Sequence, residues 1–90
     1  MQIRFLTIAH DGIFLLGYRL KLSPTEEKLL KEIANGGRCG VGNLAELLSD
    51  GVSHGNVAVH INSINRKAKK ISSRKLVIYE KGSYKINDLM

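Results

Sequence analysis

The chain has 90 residues, with 14 Lys and Arg against 8 Asp and Glu and a formal net charge of +6. A chain this short has room for one domain with a small core, which excludes a two-domain enzyme with a deep substrate cavity. One cysteine, Cys39, permits no internal disulfide, and with three scattered histidines it forms no metal-ligand pattern. The longest apolar run, Ile13–Leu16, is far shorter than the roughly 20 residues of a membrane span. We therefore expect a cytoplasmic protein with no membrane partner and no cofactor.

The first 22 residues predict a small antiparallel sheet. Gln2–Ile8 is rich in β-branched and aromatic residues, and Asp11–Gly12 is a turn sequence that hairpins prefer. Two further strands are predicted at Ile13–Leu16 and Tyr18–Leu22, on either side of Gly17.

Two helices are predicted next. Ser23-Pro24-Thr25-Glu26 matches a capping box, so the first helix begins at Pro24, and Asn35-Gly36-Gly37 ends it. We expect an apolar stripe to be buried and the glutamates to face solvent; the stripe is Leu29, Leu30 and Ile33, and the glutamates are Glu26, Glu27 and Glu32. Asn43 is predicted to cap a second, short helix that turns Leu44, Leu47 and Leu48 inward.

The strongest periodic signal predicts a third helix over about His54–Ile71. Apolar residues recur there at spacings of 4, 3, 4 and 3, namely Val57, Ile61, Ile64, Ala68 and Ile71. The opposite face is polar and basic and contains no carboxylate. Lys75–Tyr79 and Tyr84–Ile86 are then predicted strands of a hairpin with Lys81 at its tip.

The excess of positive charge lies entirely in this C-terminal part. Residues 1–55 contain equal numbers of basic and acidic residues, whereas residues 56–87 contain eight basic residues and one acidic residue, a net charge of +7. Charge concentrated on particular elements indicates a polyanionic partner more strongly than the same charge spread over a surface.

The order of the predicted elements is typical of an α+β winged helix-turn-helix. Residues 1–90 then form one domain, with an N-terminal antiparallel sheet (1–22), a three-helix core (23–71) and a C-terminal β-hairpin wing (74–87). In this arrangement the third helix enters the major groove of duplex DNA, and the hairpin contacts the backbone or the minor groove.

Three segments resemble the OmpR/PhoB-type effector domain of bacterial response regulators. Leu22–Leu30 is similar to that family's entry into its first helix, Asn56–Lys67 to its recognition helix, and Val77–Ile86 to its closing wing. The resemblance implies a bacterial DNA-binding transcription regulator that contacts RNA polymerase and places two protomers on tandem half-sites. The chain departs from the family by having Asn62, Ser63, Asn65 and Glu80 at positions where arginine is common.

The candidate DNA contacts divide by chemistry. Base reading is expected from Val59, Asn62 and Ser63, since Asn pairs with adenine and an apolar group contacts the thymine methyl. Phosphate binding is expected from Asn56, His60, Arg66, Lys67, Lys69, Lys70, Arg74 and Lys75, and wing contacts from Lys81 and Lys85. The alternatives are a solvated polar face for Asn62 and Ser63, packing under the wing for Val59, and a half-buried structural role for His60.

Other function classes receive less support from the residues. No catalytic set is evident, so we expect no enzymatic activity and no small-molecule substrate. The main alternative is a protein-interaction module without specific DNA binding, which docks through its N-terminal sheet or through a hairpin edge. RNA binding is disfavoured because the chain has only two phenylalanines and three tyrosines to stack on bases.

Overall fold

The computed structural model describes residues 2–3, 5–36, 40, 43–44 and 54–87. These residues form an α+β arrangement of two antiparallel sheets and two helices. In chain order the elements are β1 (Gln2–Ile3), β2 (Leu6–Ala9), β3 (Gly12–Leu15), β4 (Tyr18–Arg19), α1 (Pro24–Ala34), α2 (His54–Ser72), β5 (Val77–Glu80) and β6 (Ser83–Ile86).

The N-terminal sheet has the order β1-β2-β3-β4, and each strand is antiparallel to its neighbour. Leu6 is opposite Leu15, and alternation along β3 places Ile13 and Leu15 on the face that packs on the helices. The turn between β3 and β4 has positive φ at both Leu16 and Gly17, which is the type I′ geometry of two-residue hairpin loops.

The predicted boundaries of α1 agree with the structure. The Ser23 hydroxyl accepts a hydrogen bond from the Glu26 N–H at 3.2 Å, and the Ser23 N–H donates to Glu26 Oε1 at 2.8 Å. This is a complete capping box, with Pro24 in the first turn. The helix ends at Asn35, and Gly36 follows with a φ of 71°.

The helix α2 also lies where its apolar period predicts it. The core side of α2 is fully buried against β3, α1 and the hairpin, and it comprises Val57, Ile61, Ile64 and Ala68. Two residues at the start of the hairpin, Leu76 and Val77, complete the same core. Among the described residues, no helix is both long and apolar enough to cross a bilayer.

The predicted three-helix winged helix-turn-helix fold is wrong. The described residues form two helices and two antiparallel sheets, so no three-helix core joins the N-terminal sheet to the hairpin in this part of the chain. Of the predicted middle helix, only Asn43 and Leu44 are described; both have helical backbone, and the Leu44 N–H donates to the Gly40 carbonyl at 3.0 Å. Leu47 and Leu48 lie outside the described residues.

The sequence signals for that segment are short. One capping residue, Asn43, and three leucines within five residues span less than two helical turns, so they constrain a fold prediction less than the sustained apolar period of α2 does.

Candidate nucleic-acid interface

One side of α2 faces away from the core and carries the most concentrated exposed positive charge on this helix. Five exposed residues lie within an arc of about 100° at 100° per residue, and they extend over about 16 Å at 1.5 Å per residue. We call them the outer face: Val59, Asn62, Arg66, Lys69 and Lys70. The sequence of α2 contains no Asp or Glu, so its own carboxylates cannot neutralise these cations.

Two of the predicted base-reading residues lie on the outer face. Asn62 is exposed, so its amide is accessible to a ligand. Val59 is 61% exposed and is surrounded on this face by polar and basic residues. This exposure disagrees with the alternative in which Val59 packs under the hairpin, because a packed side chain would be buried.

The third predicted base-reading residue, Ser63, lies on the flank of α2 beside Glu26. Glu26 is only 3% exposed, so the prediction that it faces solvent is wrong. Its Oε1 is 2.6 Å from Lys67 Nζ and also accepts the Ser23 N–H, and the Ser63 side chain bonds to the same carboxylate. The capping box predicted that Glu26 lies at the start of α1. Its ion pair with Lys67 on α2 was not predictable from the sequence, because it joins two segments that are far apart in the chain.

This cluster controls the ionisation of Glu26. Burial by itself raises the pKa of the carboxyl, but the hydrogen bonds from Lys67, the Ser23 N–H and Ser63 outweigh burial and lower the pKa from 4.5 to about 2. Glu26 is therefore ionised at neutral pH. Lys67, one of the predicted phosphate contacts, forms an ion pair with this carboxylate and is half-buried.

Asn65 is a second polar residue of α2 that the structure uses internally. Its Nδ2 donates to the Val77 carbonyl at 2.9 Å, and its Oδ1 accepts the Val77 N–H at 2.8 Å. Asn65 is 7% exposed and Val77 is 1% exposed, so both hydrogen bonds are buried. The amide side chain replaces a missing strand partner and attaches β5 to α2.

The hairpin places further cations beside the outer face. Lys81 and Gly82 form its two-residue turn with positive φ at both positions, and Lys81 is exposed at the tip. Lys85 lies 3.4 Å from Glu80, so its charge is partly offset. An open groove of about 420 Å³, which we call the hairpin groove, separates α2 from the hairpin, and its lining includes Asn62, Lys75 and Tyr79.

Two tyrosines contact each other across this hairpin. The rings of Tyr79 and Tyr84 meet edge to face with centroids 5.0 Å apart. Burial, followed by the proximity of Tyr79, raises the pKa of Tyr84, so the Tyr84 hydroxyl is protonated at neutral pH. Tyr79 remains exposed at the mouth of the hairpin groove.

The remaining predicted contacts are scattered. Arg74 and Lys75 are exposed after the end of α2, and His60 is half-buried on its flank. The backbone of Asn56 belongs to the first turn of α2, but its side chain lies outside the described residues. The structure thus gathers Val59, Asn62 and the three cations of the outer face, and it separates Ser63 and Lys67 from them.

Comparison of the chain with protein-family models, curated proteins and solved structures gave no match. The resemblance to the OmpR/PhoB-type effector domain therefore remains a prediction from three sequence segments.

Proposed function

We propose that this protein binds double-stranded DNA sequence-specifically in the cytoplasm and regulates transcription, with the outer face of α2 in the major groove. The observation that carries the proposal is the outer face itself, on which Arg66, Lys69 and Lys70 are exposed beside Asn62 on a helix without a carboxylate. A helix about 10–12 Å across fits a major groove about 12 Å wide.

The two uncharged residues of the outer face are the candidates for reading bases. An asparagine amide can donate to and accept from the adenine edge, and Asn62 is exposed for this contact. Val59 projects an apolar side chain that suits a thymine methyl group. The cations toward the C-terminal end of the face contact phosphates and position the helix without reading sequence.

The hairpin supplies the second contact. Lys81 projects from a tight turn, and Asn65 attaches the base of the hairpin to α2. Because the attachment involves two buried hydrogen bonds, the tip is held at a defined position relative to the outer face. We assign this tip to the DNA backbone or the adjacent minor groove.

The proposal is tested by measuring the affinity for a duplex, selected from a random pool, over a range of salt concentrations. Counterion release predicts a slope of log affinity against log salt of about −0.9 per neutralised phosphate, and we expect about four to six phosphates. The double variant Arg66→Gln/Lys69→Gln should bind more weakly, with a slope shallower by about 1.8.

The matched control is Lys28→Gln/Lys31→Gln, which removes the same charge from exposed positions on α1. It should leave the salt slope nearly unchanged. A wild-type affinity that is independent of salt, or equal losses in the two double variants, would contradict the proposal. In that case the protein-interaction alternative is favoured.

A further inference from the structure

A second groove lies on the flank of α2 away from the hairpin. It has a volume of about 290 Å³ and is lined by Arg19, Leu20, Lys21, Lys67, Lys70 and Ile71. We call it the sheet groove, because β4 and the residues that follow it form one wall. Four of its six lining residues are basic, and two of those four belong to the half of the chain that is neutral overall.

The charges of the sheet groove are unequally available. Lys67 is paired with Glu26, whereas Arg19, Lys21 and Lys70 lie beyond ion-pair distance of every described carboxylate. Glu27 lines the neighbouring cavity together with Arg19 and Lys21, so it moderates the positive potential without pairing with either cation. The described charges around the groove still leave a positive excess.

One cation of the groove packs against the sheet. Arg19 Nε lies 3.1 Å from the position that a Cβ would occupy on Gly12, so the arginine side chain packs against the β3 backbone. Gly12 itself is buried.

The two grooves lie on opposite sides of α2. At 100° per residue, the sheet-groove residues of α2 point about 180° away from those of the hairpin groove, with the outer face between the two sets. The sheet-groove residues also lie about 12 Å further along the axis, at 1.5 Å per residue. The sets are Lys67, Lys70 and Ile71 in the sheet groove and Ala58, Ile61, Asn62 and Asn65 in the hairpin groove.

A helix in the major groove has one DNA backbone on each side. The hairpin and Lys75 lie on the side of the first backbone, and the sheet groove faces the second. We propose that Arg19, Lys21 and Lys70 bind phosphates of this second backbone, while the half-buried Ile71 supplies an apolar surface for deoxyribose. This assignment rests on the proposed DNA binding and adds the N-terminal sheet to the contact surface.

The test uses the double variant Arg19→Gln/Lys21→Gln, in the same salt titration of the selected duplex. We expect weaker binding to selected and scrambled duplexes alike and a slope shallower by about 1.8, since two phosphate contacts are lost. Both residues are exposed. If the loss of Arg19 disturbs the sheet, the single variant Lys21→Gln replaces the double variant, with an expected slope change of about 0.9. The control is again Lys28→Gln/Lys31→Gln.

Duplexes with uncharged methylphosphonate linkages on one strand at a time locate the contact. Neutral linkages on one backbone should abolish the effect of Arg19→Gln/Lys21→Gln and preserve that of Lys75→Gln, and neutral linkages on the other backbone should do the reverse. If the wild type shows the expected salt slope while Arg19→Gln/Lys21→Gln binds as tightly as the control, the sheet groove is not a phosphate site and the proposed function stands. A wild type that binds no duplex overturns both.

Discussion

Two sets of polar residues on α2 have nearly the same chemistry and opposite surroundings. Ser63, Asn65 and Lys67 bond within the protein, whereas Asn62 and Lys70 are exposed on the outer face. Members of the two sets occupy adjacent or nearly adjacent positions in the sequence of α2. Residue type therefore says little about role here; the direction in which each side chain leaves the helix decides it.

The inner set determines how the outer set is presented. Asn65 attaches the hairpin to α2, and Lys67 with Ser63 attaches the beginning of α1 through Glu26. The two attachments lie on different flanks of the helix, and the outer face lies between them. The inner residues thus act as positioning residues for any ligand of the outer face.

The largest effect is expected for the hairpin attachment. Asn65→Ala leaves the buried N–H and carbonyl of Val77 without partners, and each unsatisfied group costs about 1–3 kcal/mol. We therefore expect the free energy of unfolding to fall by about 2–6 kcal/mol, measured by urea denaturation. Asn62→Ala is the matched control on the outer face and should change stability by less than about 0.5 kcal/mol. Similar losses in both variants would contradict the division into two sets.

The next largest effect concerns the Glu26 cluster and its pH dependence. The pKa of Glu26 is lowered from 4.5 to about 2 on folding, so the ionised carboxylate stabilises the native state by about 3 kcal/mol above pH 4.5. This contribution should decline as the pH falls from 4.5 toward 2. Denaturation of wild type and Glu26→Gln across this range should show a flatter acid limb in the variant.

Lys67→Met tests the same cluster from the other side. It leaves a buried carboxylate with only its hydrogen bonds from Ser23 and Ser63, and we expect a loss of about 2–3 kcal/mol at neutral pH. Lys70→Met removes the same charge from the outer face and should be nearly neutral for stability. If Lys67→Met leaves the free energy of unfolding nearly unchanged, the ion pair contributes little to stability.

The smallest effect in free energy is expected for base reading. Asn62→Ala should lower the preference for the selected duplex over a scrambled one by about 1–3 kcal/mol, without a change in the salt slope. Lys70→Gln should instead weaken both duplexes equally and make the slope shallower by about 0.9. Equal weakening of both duplexes by Asn62→Ala would remove it as a reader.

Local signals predicted several elements correctly. The capping box located the start of α1, the apolar period located α2, and two short strand patterns on either side of Lys81 located the hairpin. Each of these depends on interactions within a few residues or on a period sustained over many. The predicted middle helix rested on one capping residue, Asn43, and three leucines, and the three-helix winged-helix fold that included it was wrong.

The uneven distribution of charge is visible in the sequence, which has no net charge through residue 55 and is strongly basic afterwards. The amphipathic period also showed which side of α2 is polar. Only the tertiary structure revealed that Glu26 is buried and that Lys67 forms an ion pair with it. It also revealed that Arg19 and Lys21 line one groove together with Lys67 and Lys70 of α2. Charge and period are properties of the chain itself, whereas pairing depends on which distant segments meet, and long-range packing alone decides that.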